Sequence, residues 1–287
     1  MIPVERQQRI LQLLAERGVV SIVELTDWLQ VSHMTIRRDI QKLEEQGRVL
    51  SVSGGVSLSQ RIKSEPSHAA KRSLMQGAKL AIARLAAAQV SEGSTVYLDA
   101  GTTSLELARE LALREDLMIV TNDFMVCAYL IEHGRCRLYH TGGQVIRENQ
   151  SCAGEATAHF LRNLHLDIAF LSASSWDSHG ISTPSEQKVP VKRAVVESAA
   201  TRILICDSSK YGKVGTFNVV SWDAIDQVIT DEQLPQSARE ALAQHGVRVT
   251  MAPLALSLIH ITEPTRPDEL SYSLIGVEKN EGGGGGG

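Results

Sequence analysis

The chain has 287 residues, of which 43% are apolar and 22% charged. These are ordinary globular proportions, they exclude a wholly disordered chain, and at ~150 residues per domain they suit two domains. The formal net charge of -4 excludes a uniformly basic nucleic-acid coat but leaves room for a local basic patch.

From the N-terminus, Pro3 to Arg17 spaces Ile10, Leu13 and Leu14 near the 3.6-residue period of an amphipathic helix, and Gly18 stops it. Ser21 and Glu24 stand at capping-box spacing and open a second helix that runs through Leu29. Gln30 and Val31 make a tight connection. Ser32 opens a third helix, with Ile36, Ile40 and Leu43 on one face and Gly47 as its stop. Val49, Leu50, Val52 and Val56 around Gly54-Gly55 predict a short hairpin, or wing.

The polar face of the third helix carries His33, Thr35, Arg37, Arg38, Gln41 and Lys42. Arg and Lys pair with phosphates or guanine edges, and Gln pairs with adenine. Ser32 and Thr35 offer hydroxyls to a phosphate at the helix N-terminus. A single helix fits the DNA major groove. By periodicity alone the face is either a DNA reader or a solvated surface. The connector from Gln60 to Arg84 then carries Arg61, Lys63, Lys71, Arg72, Lys79 and Arg84 against one acid, Glu65. That stretch suits either sequence-blind phosphate contact or plain solvation.

Beyond Lys79, short apolar runs alternate with helical segments. Thr95–Leu98, Leu117–Val120, Arg137–Tyr139, Asp167–Leu171, Ile203–Ile205, Val228–Ile229 and Val247–Val249 read as strands. Leu105–Leu113, Asp123–Glu132, Cys152–Leu164, Glu186–Ala200 and Gln236–Gln244 read as helices. Such alternation implies a mostly parallel sheet with helices on both faces, which binds ligands beyond the carboxyl ends of its strands. Polar residues cluster there: Asp99 to Ser104, Thr121-Asn122, Gly142-Gly143, Ser172 to Ser175 and Asp207 to Lys210. Gly101 permits close backbone approach, Thr102, Thr103 and Ser104 offer hydroxyls, and a helix N-terminus adds N–H groups for a phosphate or carboxylate. An ordinary Ser/Thr cap explains the same letters. Lys192 and Lys210 either add charge to the site or lie on the surface. Trp176 either stacks on a ligand or packs in a core or interface.

VSHMTIRRDIQKLEEQG, from Val31 to Gly47, closely resembles the recognition-helix signature of the DeoR family of bacterial transcription regulators. The effector half is similar to the same family through DAGTTS at Asp99–Ser104, TN at Thr121-Asn122, GG at Gly142-Gly143, VKRA at Val191–Ala194 and DSSKYG at Asp207–Gly212. The resemblance implies an N-terminal winged helix-turn-helix and an α/β, Rossmann-like, mostly parallel effector domain resembling ribose-5-phosphate isomerase and glucosamine-6-phosphate deaminase. It implies double-stranded operator DNA as partner and a phosphorylated sugar or sugar acid as the effector that lowers DNA affinity. Expected DNA-binding residues are Ser32, His33, Thr35, Arg37, Arg38, Gln41 and Lys42. Expected effector-binding residues are Asp99, Gly101, Thr102, Thr103, Ser104, Thr121, Asn122, Gly142, Gly143, Asp207 and Lys210. Two departures stand out. The family often has Arg and His in the wing where this chain has Leu50-Ser51-Val52-Ser53, and an Ala-Asp/Ser-Gly block where it has Ala173-Ser174-Ser175-Trp176.

The resulting division is a DNA-binding domain over 1–57, a basic linker over 58–78, an effector domain over 79–252 and a non-native tail over 253–287. The tail ends in six glycines, Gly282 to Gly287, and its Leu256–Pro267 stretch resembles a translated sequencing adapter. Without it the chain carries 27 basic and 28 acidic residues. Four scattered cysteines without a C-x-x-C pair read as reduced thiols. With no signal peptide and no apolar run of ~20 residues, a cytoplasmic protein with no membrane association is expected. Paired half-sites in operator DNA call for a homodimer or homotetramer. The competing class is a sugar-phosphate isomerase or deaminase with an accessory N-terminal domain, for which Asp99, Asp207 and His179 are the candidate acids and bases. The residues show neither a nucleophile–base spacing nor a metal or cofactor motif, so binding without turnover is the expectation, with no catalytic residue, cofactor or metal.

Overall fold

The computed structural model describes residues 2–52 and 54–254, so the expected tail lies outside the described residues from 255 onward. Helix α1 (Pro3–Arg17) has proline in its first turn, where a missing N–H is no loss, and buries Ile10, Leu13 and Leu14. Strand β1 (Val19–Val20) leads into α2 (Ile22–Leu29). The capping box forms: Ser21 Oγ accepts from the Glu24 N–H at 3.1 Å, and Glu24 Oε2 accepts from the Ser21 N–H at 2.8 Å. Helix α3 (His33–Glu45) turns Ile36, Ile40 and Leu43 into the same small core. Asp39 is buried with them and accepts from Gln7 Nε2 at 3.1 Å and from Arg6 Nε, which ties α3 to α1.

Strands β2 (Val49–Val52) and β3 (Gly55–Leu58) form the wing hairpin, and β1 joins β3 to give a three-stranded antiparallel sheet. The hairpin pattern did not include β1. Its approach accounts for Gly55, where a Cβ would meet the Val20 carbonyl oxygen at 2.3 Å. The linker holds β4 (Gln60–Arg61) and α4 (His68–Arg72), and α5 (Gln76–Ala87) follows.

The second half contains β5 (Thr95–Leu98), α6 (Thr102–Leu111), β6 (Met118–Thr121), α7 (Phe124–His133) and β7 (Arg137–His140). A small hairpin follows, β8 (Gln144–Ile146) and β9 (Ser151–Ala153), then α8 (Glu155–Arg162) and β10 (Leu166–Leu171). Next come β11 (Ser175–Asp177), β12 (Gly180–Thr183), α9 (Lys188–Ser198), β13 (Ala199–Ile205), β14 (Lys213–Val214) and β15 (Phe217–Ser221). The chain then runs through β16 (Gln227–Asp231), α10 (Gln236–Gln244) and β17 (Arg248–Ala252).

Seven of these strands form one parallel sheet in the order β17-β16-β13-β10-β5-β6-β7. Side chains alternate across it with period two. Val96, Leu98, Ile168 and Phe170 face a core shared with α5, α6 and α7, while Tyr97, Ala169 and Leu171 face α8, α9 and α10. From β5 the chain builds outward through β6 to one edge and later through β10 to the other. The switch point therefore lies between β5 and β10, which pair through Val96–Leu98 opposite Ile168–Phe170. Loops diverge there and leave a crevice for a ligand.

Several expected helix boundaries move, and the helix read over Leu105–Leu113 spans Thr102–Leu111. Cys152 belongs to β9, so the helix read from Cys152 starts at Glu155, and the helix read from Glu186 to Ala200 spans Lys188–Ser198 because Ala199 and Ala200 enter β13. The antiparallel sheet β11-β12-β15 and the pair β14-β4 lie outside the alternating pattern. Among the described residues no helix is long and apolar enough to cross a membrane.

Candidate functional site

Two surfaces carry the chemistry. The first is the polar face of α3, where Ser32, His33, Arg37, Arg38, Gln41 and Lys42 are exposed and Thr35 is half-buried. Ser32 caps the helix by accepting from the Thr35 N–H at 3.2 Å, and the two hydroxyls meet at 2.9 Å. Gln41 donates to Glu45 at 3.2 Å. Arg37, Arg38 and Lys42 make no ion pair among the described residues, so their charge stays available to an external anion. The Arg6–Asp39–Gln7 contacts fix the orientation from which they project.

The second is a cavity at the switch point. Its walls are Ala100–Thr103 after β5, Ser172–Ser174 after β10 and Ile205–Asp207 with Lys210 after β13, plus five lysines in all: Lys71, Lys79, Lys188, Lys192 and Lys210. Gly101 gives α6 no side-chain cap, so the N–H groups of its first turn retain bonding capacity, and the helix end adds partial positive charge. Gly101 also sits close to Ser172, whose Cβ would lie 3.2 Å from an added methyl. Its own N–H donates to Asp123 Oδ2 at 3.0 Å. Burial pushes the Asp123 carboxyl up to about 6, even though backbone N–H groups of Val126, Met125 and Gly101 donate to it.

The lysines are held in different ways. Lys192 is buried, pairs with Asp99 and donates to the Ser172 carbonyl at 2.6 Å. Lys188 Nζ lies 2.6 Å from Glu65 Oε2. Lys71 Nζ donates to Asn149 Oδ1 at 3.1 Å and reaches Glu65 Oε2 at 3.4 Å. Burial pushes the Lys79 ammonium down, and it does the same to Lys188 against the pull of Glu65. Burial also works against the Glu65 carboxylate, but Lys188 and Lys71 outweigh it and hold that carboxyl at about 2. Glu65 accepts further from Ser174 Oγ at 3.1 Å and Thr183 Oγ1 at 3.4 Å.

Of the expected effector residues, Gly101, Thr102, Thr103, Asp207 and Lys210 line this cavity. Asp99 and Asn122 line a smaller adjoining space with Lys188 and Lys192. Asp99 is committed there, accepting from the Ala100 and Ser172 N–H groups at 2.9 Å each, so it positions Lys192. Asp207 caps the turn that carries Lys210, accepting from the Ser209 N–H at 3.2 Å. Four expected residues do not line the cavity. Ser104 is fully buried, and Thr121 donates to the Leu98 carbonyl at 2.7 Å. Gly142 and Gly143 form a tight bend against Thr157, whose Oγ1 would lie 2.1 Å from a Cβ on Gly143.

Sequence reasoning missed Glu65, Lys71, Lys79 and Lys188 as cavity residues, while Ser172, in a polar strand-end cluster, does line it. The connector's charge suits either phosphate contact or plain solvation by sequence, whereas the fold turns Lys71 and Lys79 toward the cavity. The departures also find places. Ser174 binds Glu65. Trp176 is fully buried, edge-on to Trp222 with ring centres 5.7 Å apart, so it is a core residue. His179, an acid–base candidate, lies away from the cavity and its Nε2 is 2.8 Å from the Glu45 carbonyl oxygen. The three acid–base candidates are therefore not assembled around one reacting centre.

A DeoR-like helix-turn-helix domain model matches residues 6–61, and a DeoR C-terminal sensor domain model matches residues 75–232. The uncharacterized HTH-type transcriptional regulator YgbI of Escherichia coli K12 is 53% identical over 252 residues, covering 88% of this chain and 99% of that protein. The glycerol-3-phosphate regulon repressor of the same strain is 33% identical over 248 residues, covering 86% and 98%. Among solved structures, ribose 5-phosphate isomerase A of Methanocaldococcus jannaschii is 19% identical over 46% of this chain and 53% of that one, with a TM-score of 0.35, a likeness too weak to carry functional weight.

Proposed function

The chain belongs to the DeoR family of DNA-binding transcription regulators, and from that premise we propose that it represses a carbohydrate or sugar-acid catabolic operon and leaves its operator when a phosphorylated metabolite enters the lysine-lined cavity. The observation that carries the reading is the cavity itself. Five lysines meet three carboxylates, Glu65, Asp207 and Lys192's partner Asp99, at the N-terminus of α6 and at the sheet's switch point. That excess of positive charge, with Lys79 and Lys192 buried, suits an anion. Ser32, His33, Thr35, Arg37, Arg38, Gln41 and Lys42 are assigned to operator DNA. Gly101, Thr102, Thr103, Lys79, Lys192 and Lys210 are assigned to the ligand's phosphate. The protein acts in the cytoplasm as a homodimer or homotetramer, since two α3 helices are needed for two half-sites.

The switch is a linkage between two binding equilibria. A ligand releases DNA only if it binds the DNA-free conformation better, and operator DNA must then weaken the ligand by the same factor. The test is a mobility-shift assay on DNA flanking the gene, against a panel of sugar phosphates and phosphorylated sugar acids. One compound should release the DNA, and Lys210→Ala should bind DNA normally yet resist release. If no anionic metabolite shifts the DNA, or Lys210→Ala responds like wild type, the assignment fails.

A further inference from the structure

The cavity is already occupied by the chain's own carboxylate. Glu65 belongs to the linker, yet three of its four polar partners, Lys188, Ser174 and Thr183, belong to the sensor domain. Its side chain is 7% exposed, so this is an inserted group and not a surface ion pair. It is also the lone acid in the basic connector from Gln60 to Arg84. With it in place the free cavity volume is ≈ 50 Å³, room for a water or two. Small-molecule sites run to roughly 300–1,000 Å³. A ligand of sugar-phosphate size therefore cannot enter until something leaves, and Glu65 is the one wall residue contributed by an extended linker segment.

That segment also fastens the DNA-binding half. Just upstream of Glu65, β4 pairs with β14, with the Gln60 N–H donating to the Gly212 carbonyl at 3.1 Å and the Ile62 N–H to the Val214 carbonyl at 2.9 Å. Gly212 follows Lys210, a cavity residue, by two positions.

We propose that Glu65 is a built-in occupant of the effector site: an anionic ligand enters by displacing its carboxylate from Lys188, and the displacement releases the linker strand from the sensor domain. This rests on the reading of the lysine cavity as the ligand site. The ligand exchanges one anion for another on Lys188, so no lysine is left buried without a counter-charge. The internal carboxylate lowers apparent ligand affinity by the fraction of molecules in which it is out. Ligand binding and linker release then become one event, which places the signal on the segment joining the two domains.

The experiment uses the full chain with inorganic phosphate as the probe, at fixed ionic strength. Calorimetric titration should show Glu65→Gln binding phosphate at least tenfold more tightly than wild type. In wild type, phosphate should speed hydrogen exchange at the Gln60 and Ile62 amides, a readout that needs no variant, and in Glu65→Gln those amides should exchange fast without it. Phosphate binding to wild type with unchanged protection at Gln60 and Ile62, or no affinity gain in Glu65→Gln, overturns the proposal. Lys210→Ala separates the two readings. If it loses phosphate while Glu65→Gln gains nothing, the cavity stands and this proposal alone falls. If phosphate binds neither wild type nor Glu65→Gln, or binds Lys210→Ala like wild type, both fall.

Discussion

Lys192 offers an energetic test of how the cavity is built. Its side chain is 7% exposed and that of its partner Asp99 is 4% exposed, so the pair has little solvent to fall back on. Lys192→Met keeps most of the stem and removes the charge. Asp99 would then be a buried carboxylate with the Ala100 and Ser172 N–H groups as its remaining firm donors, both at 2.9 Å. The Ser172 hydroxyl, 3.2 Å from Asp99, is closer to the Ala100 carbonyl at 2.6 Å and counts for less. Breaking one side of a buried pair costs roughly 3–5 kcal/mol. Two retained backbone donors place the expected loss at the low end, about 3 kcal/mol. Asp99→Asn alone should cost a similar amount by stranding the ammonium. The double variant removes both charges, so its cost should fall short of the sum by about 2 kcal/mol. Urea unfolding followed by tryptophan fluorescence reports on this half of the chain, because Trp176 and Trp222 are fully buried there. Additive losses, with a coupling below about 0.5 kcal/mol, would refute the pairing as the reason Lys192 is held in place.

Arg37→Ala and Arg38→Ala should each weaken operator binding by ~1–3 kcal/mol while leaving phosphate binding unchanged, which mobility-shift and calorimetric titrations check. Lys71→Ala and Lys79→Ala should leave the salt dependence of DNA binding unaltered, because both ammonium groups line the cavity; a slope reduced by about one per lysine would return them to the DNA interface. Glu65 is held at about 2 against an ordinary 4.5, so its stabilisation is complete above pH 4.5 and is lost as pH falls toward 2. The stability gap between wild type and Glu65→Gln should therefore be about 3 kcal/mol at neutral pH and close during acid titration; a gap independent of pH would remove the charge argument.

The sequence is most readable where one element owns one apolar face. Ile10, Leu13 and Leu14 on α1 and Ile36, Ile40 and Leu43 on α3 announce their helices because each set meets the core together. The parallel strands are readable as short apolar runs because both of their faces are covered. Strand β12 is not, since Gly180–Thr183 is buried throughout and contains two hydroxyl residues and a glycine. Cys152 reads as helical because the alanines after it suit a helix, and only the pairing of β8 with β9 decides otherwise. The cavity divides along the same line. Gly101–Thr103, Asp207 and Lys210 sit in loops at strand ends, where position alone points to a ligand. Lys71 and Lys188 sit on or beside helices where a lysine ordinarily faces water, and their burial follows from tertiary packing that no local spacing encodes. The one available signal was Glu65, an isolated acid within a basic stretch.

The contact between Leu50 and Gly212 couples the wing to the cavity loop. Leu50 belongs to the wing strand β2, and its Cδ2 lies where a Cβ on Gly212 would be, at 2.0 Å. Gly212 has φ +78, a left-handed conformation that favours glycine. The wing strand therefore packs through Leu50 on the loop carrying Lys210. Gly212→Ala adds about 1 kcal/mol of backbone strain and a contact with Leu50, for a total of roughly 1–2 kcal/mol against the docked linker. Local opening should rise about 5–30-fold, read as faster hydrogen exchange at Gln60 and Ile62. Leu50→Ala in the same chain removes the clash but not the strain, so it should restore part of the protection. Unchanged exchange in Gly212→Ala, or no recovery with Leu50→Ala, would show that the wing and the cavity loop are merely adjacent and that no force passes between them.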